Sequence, residues 1–184
     1  MTFRLVTADD VCTGAETVLV AALPVLIEAL GLDEPADTKP FVMPTTWSQV
    51  PTLEALQSAR FPAAAVTTTG TVGDTRESST GVDAEWLVRV GMFDRGADYN
   101  DTAHRIRTWA ALIRAGLLRH RTLGGIASGL RLAGESYRNL PQTSAARTLG
   151  GCTVDVRVKV RNIADLADLT APVVKSTDSA LTVN

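Results

Sequence analysis

Thr153-Val154-Asp155-Val156-Arg157-Val158-Lys159-Val160-Arg161 is the most regular stretch of the chain, with valine at every second position and a charged residue in each gap. Successive side chains of a strand point to opposite faces, so this run packs one face and wets the other. One dry face calls for a cover, and the neighbouring sequence predicts what supplies it. Upstream, Ile126 to Tyr137 reads as a partner strand, in which Gly129 and Gly134 mark a bulge or a close backbone contact.

Before that strand lies a helix. It opens after Gly96, with Asp98 or Asn100 as cap, and Ala103, Ile106, Ala110, Ile113 and Leu117 trace one apolar stripe to about His120. Asp94, Asp98 and Asp101 gather at its positive end, where capping explains them, and Arg119, His120 and Arg121 sit at its negative end. Gly124 and Gly125 close it. Earlier again, Ala63 to Val72 and Ala84 to Met92 alternate with period two and predict a second strand pair. Ala64, Val66 and Thr68 share one face of the first, and the polar segment Gly73 to Gly81 between the two reads as a long mobile hairpin loop.

The chain begins with a further helix, about Asp9 to Leu30, with apolar residues at Val11, Ala15, Val18, Leu19, Ala22, Leu23, Leu26 and Ile27. Thr7 and Asp10 form a capping box with Asp in place of Glu, Gly31 is the left-handed stop, and Pro24 predicts a kink or two stacked segments. Residues 34–62 are a proline-rich connection pinned to the body by Phe41, Val42 and Trp47, with a helical turn around Thr52 to Ser58. The expected fold is α+β: a mostly antiparallel four-stranded sheet with two main helices on one face, in the order α-β-β-α-β-β. It occupies residues 1–161, and residues 162–184 follow as an extended C-terminal arm.

The 18 basic residues nearly balance the 20 acidic ones, leaving a formal charge of −2, which does not suit a protein whose main task is gripping phosphates. Most of the basic residues are arginine, and five fall between Arg105 and Arg121, where a planar guanidinium suits subunit contacts. No leader precedes the first helix, and its apolar stretch is broken by Pro24 and Glu28, so neither export nor membrane insertion is expected. Cys12 and Cys152 form no CxxC pair and suggest neither zinc nor a disulfide.

Signatures of chemistry are missing as well. There is no GxxxxGK, Leu123 to Gly129 is a glycine turn without lysine, and Ser128 in GIASG falls one position out of a nucleophile elbow. His104 and His120 are 16 residues apart on one helix, nearly opposite each other at about 100° per residue. Glu135 is the one acid of its strand. It predicts an ion pair with one of the arginines, and a small hydrolase using Glu135 with a histidine is the alternative from another class. No catalytic residue, cofactor or metal is expected.

The segment DYNDTAHRIRTWAALIRAGLLRHRTLGGIASGLRLAGESYRNL, with RTLGGCTVDVRVKV after it, resembles the C-terminal half of the tail terminator proteins of long-tailed actinobacteriophages. The first helix and the Trp47 connection are also similar, so the likeness covers about residues 9–161. It implies a ring, usually a homohexamer, that ends tail-tube growth and presents a surface to head completion or connector proteins, with passive DNA contact in its lumen. The subunit would be assembled in the host cytoplasm and reside in the tail or neck of the virion. A different neck protein, such as a head closure subunit, shares the same ring logic. Surface contacts are expected from Arg105, Arg107, Arg114 and Glu135, from Asp74, Arg76 and Glu77 in the loop, and from Leu166, Leu169, Val173 and Val174 in the arm.

Overall fold

Val154, Val156, Val158 and Val160 are fully buried at the centre of a sheet, as their alternation requires. The computed structural model describes residues 5–34, 39–49, 60–73, 75–78, 81–140 and 149–165. Within them the fold is α+β, with helices α1 (Ala8–Ala29) and α2 (Tyr99–Arg119), and strands β1 (Thr46–Ser48), β2 (Ala63–Thr71), β3 (Arg76–Ser78), β4 (Gly81–Arg95), β5 (Gly129–Leu140) and β6 (Leu149–Asp165). The sheet is mixed and six-stranded, ordered β1-β2-β4-β6-β5, with β3 paired to β4 off this path.

Six strands stand where four are expected. The two extra ones are three residues each, too short for any period to reveal. β1 lies inside the proline-rich connection and pairs parallel to β2, Thr46 opposite Ala63. β3 lies inside the expected hairpin loop and pairs antiparallel with the start of β4, Arg76 opposite Asp83 and Ser78 opposite Gly81. Arg76 to Ser78 are therefore strand rather than free loop. β6 also continues four residues past Arg161, with Val82 opposite Ala164 and with the amide of Val6 donating to the carbonyl of Ile163 at 2.8 Å. The first four residues assigned to the arm thus belong to the sheet. The proposed helical turn at residues 52–58 lies outside the described residues, as does the rest of the arm.

β4 and β5 run parallel on either side of β6, joined by α2, which makes a split β-α-β unit with an antiparallel strand in the gap. The register of β5 slips between Leu132 and Gly134, a bulge where the glycine pattern predicts one. Both helices cover the valine face. Gly116 lets them pack closely: a Cβ there would meet Leu19 Cδ2 at 3.3 Å and Ala22 Cβ at 3.4 Å.

α1 carries the predicted capping box, Thr7 N–H donating to Asp10 Oδ2 at 2.8 Å and Asp10 N–H to Thr7 Oγ1 at 3.2 Å. At its other end Gly31 takes a φ of +60°, and the amide of Leu32 reaches back to the carbonyl of Ile27 at 3.0 Å. No break occurs at Pro24. The proline lies on the exposed side of the helix, as does Val20, whose carbonyl loses its helical donor there. α1 is long and apolar enough to cross a membrane, and 44% of that stretch is buried against the sheet and α2. Phe41 is buried and Trp47 packs against the core, whereas Val42 is 48% exposed and pins nothing.

Candidate assembly surface

Arg105 falls on the helix α2 in step with Thr102, Trp109, Leu112 and Gly116, all of them buried, and it is 1% exposed. Its Nε donates to Asp94 Oδ2 at 2.9 Å, its Nη2 lies 2.8 Å from the same oxygen, and Nη1 and Nη2 donate to the carbonyls of Lys39 and Pro40. Trp109 Nε1 also donates to Asp94 Oδ2, at 2.9 Å, and the guanidinium lies over the Phe41 ring at 4.3 Å. This knot ties the proline-rich connection to α2 and the end of β4. Arg105 is thereby removed from any surface, correcting its expected place at a subunit contact. Asp94 is not a cap either: Asp98 fills that role, its Oδ1 accepting from Asp101 N–H at 2.8 Å.

The remaining arginines of α2 do reach the surface. Arg107 and Arg119 are exposed, as is Arg121 just beyond the helix, and Arg114 extends over β5 to pair with Glu135 at 2.7 Å. Tyr137 O–H donates to the other Glu135 oxygen at 2.7 Å, and this bond raises the phenol's pKa. Both carboxylate oxygens of Glu135 are therefore engaged, while His104 on α2 and His120 at its C-cap are exposed. On β3, Arg76 and Glu77 are exposed; Asp74, Leu166, Leu169, Val173 and Val174 lie outside the described residues.

β5 ends the sheet. Among the described residues its only partner is β6, so a 12-residue strand presents its other edge outward. Leu132 and Tyr137 on this strand are 40% and 49% exposed. α1 adds a second apolar surface through Val20 and Val25, 45% and 56% exposed.

The face of the sheet away from the helices is a lattice of charge that pattern reading identified only as wet. Arg89 and Asp155, directly opposite across β4 and β6, form a two-pronged pair with both bonds at 2.8 Å. Glu85 Oε1 accepts from Arg131 at 3.1 Å and Arg157 at 3.4 Å, and these bonds lower the pKa of Glu85 against its partial burial. Which charges meet depends on register, and register is invisible in any one strand.

Among the described residues no three His, Cys, Asp or Glu side chains come together to hold a metal ion. Cys12 and Cys152 are buried free thiols, and burial pushes Cys152 up to about 12. No protein-family model matches the chain, and no curated protein matches it.

Proposed function

We propose that the protein is a non-enzymatic, self-assembling structural subunit of a tailed phage. In this reading it is a tail terminator: a ring, homohexameric as is usual for such proteins, at the head-proximal end of the tail tube, stopping tube growth and receiving the head completion proteins. Its assembly takes place in the host cytoplasm and its final place is the neck of the virion. The observation that carries self-assembly is the outward edge of β5. Soluble monomers blunt long sheet edges with short strands, charge or a cover, because unpaired backbone groups recruit another strand. Here the edge strand is 12 residues long, and beside its charged Arg131, Glu135 and Arg138 and its bulge at Gly134 it carries exposed Leu132 and Tyr137.

The opposite edge, β1, has three residues and a different sequence. Contact between two unlike edges of neighbouring copies is heterologous, and heterologous contacts close into rings where the rotation allows. Arg107, Arg114, Arg76 and Glu77 would supply polar contacts around that seam. The phage assignment itself rests on the sequence resemblance alone.

Negative-stain imaging of the purified protein, alone and mixed with tail-tube protein, tests the reading. Rings that seat on tube ends are expected. A stable dimer, independent of concentration, that never adds to tubes would refute it. Co-purification with portal or adaptor rather than tube protein would move the protein to another station of the neck.

A further inference from the structure

On the open face of the sheet, residues of β3, β4, β5 and β6, with Val72 and Gly73, line a half-open cavity of about 260 Å3. Among the described residues its charged lining is Arg76, Arg131, Arg157 and Lys159 against Asp83 and Glu85, a surplus of two positive charges. Register brings these groups together. Arg131 stands directly opposite Arg157, and Glu85 opposite Lys159, on adjacent rungs of three neighbouring strands. Like charges directly opposed across a sheet repel unless an anion lies between them. Glu85 Oε1 fills part of that need, taking one N–H from each arginine.

Each guanidinium has five N–H donors in a rigid fork, so that single bond leaves most of each fork available while it fixes the direction in which the forks point. Asp83 is otherwise directed, its Oδ1 accepting from the amide of Asn162 at 3.0 Å. Gly129, opposite Lys159, adds no side chain, and the space where its Cβ would stand is open. The adjacent charges on the same face differ: Arg89 spends two N–H groups on Asp155 and the pair is self-sufficient. We propose that this cavity binds a phosphate group, carried either by free phosphate or by the backbone of DNA. The planar forks of Arg131 and Arg157 would grip two of its oxygens, with Lys159 and Arg76 supplying charge from the sides. The proposal does not depend on ring formation.

Calorimetric titration with inorganic phosphate at constant ionic strength, against chloride as the matched anion, tests the site. Anisotropy of a labelled DNA duplex at about 50 mM salt, where phosphate contacts are strongest, identifies the source. The Arg157→Gln/Lys159→Gln double variant should weaken phosphate binding at least tenfold, whereas Arg119→Gln, at an exposed position in the last turn of α2, should stay within twofold of wild type. If the double variant does not fold by circular dichroism, Arg76→Gln, on the exposed short strand, should still weaken binding about threefold. DNA binding that inorganic phosphate competes away assigns the site to the nucleic-acid backbone, and phosphate binding without DNA binding assigns it to the free anion. No phosphate heat beyond that of chloride, or a folded double variant that binds as wild type does, overturns the proposal. A ring that forms without phosphate binding refutes this site alone, and phosphate binding without a ring refutes only the assembly reading.

Discussion

Arg105 and Asp94 show how one buried pair can order three parts of a chain. Neither is more than 1% exposed, and between them they reach α2, β4 and the carbonyls of Lys39 and Pro40. Removing one partner leaves a buried charge uncompensated, so Arg105→Met or Asp94→Asn should each cost about 3–5 kcal/mol in urea denaturation. The double variant should cost less than the two singles together, because the lone charge is gone. Arg114, 42% exposed beside Glu135, should differ: Arg114→Glu should change stability by about 1 kcal/mol or less while weakening association. Cys152 gives a pH-dependent signature. Burial raises its pKa from 9.0 to about 12, so the folded state favours the neutral thiol. The stability this provides is complete below pH 9 and is lost as pH rises toward 12. Wild type should therefore lose stability over that window more steeply than Cys152→Ala, and its thiol should resist an alkylating reagent at pH 8 until the protein is unfolded.

At the scale of elements, the two edges of the sheet have unequal consequences. β1 is three residues whose strand partner among the described residues is β2, whereas β5 is a long strand whose outer edge pairs with no strand among them. A lysine on such an edge discourages strand addition without touching the core. Leu132→Lys should leave the melting temperature close to wild type, since surface changes of this kind stay within about 0.5 kcal/mol. Sedimentation should then show the variant as monomer at concentrations where wild type assembles. If wild type and variant sediment alike as rings, β5 is not the seam.

For the whole molecule, the end of the sheet decides where the chain can be shortened. Stopping after Asp165 keeps the pairing of β6 with Gly81 and Val82, the bond from Val6 N–H to Ile163, and the bond from Asn162 N–H to Asp83. Stopping after Arg161 removes all of them. The protein ending at residue 165 should melt near wild type by circular dichroism, and the one ending at residue 161 should melt several degrees lower. If residues 166–184 reach a neighbouring copy, as the assembly reading holds, the longer truncate should fold normally and still lose ring formation. A truncate that caps tubes at wild-type yield would exclude that role for them.

Periodicity determined the class of fold, both helices and the four long strands, because each is a local pattern in which burial repeats with the backbone; the cap at Thr7 was legible from its capping box, whereas the choice of Asp98 over Asn100 came from the structure. The glycine stop at Gly31 and the bulge at Gly134 were legible for a related reason, each being a backbone requirement expressed by one residue type. Short strands β1 and β3 were not legible, since three residues carry no period and exist only because β2 and β4 offer them partners. Arg105 was misread as surface because arginine is almost never fully buried unless paired, and its partner Asp94 lies 11 positions away in another element. The cluster of Arg131, Arg157, Lys159 and Glu85 is likewise a product of register across three strands, which only the folded sheet decides.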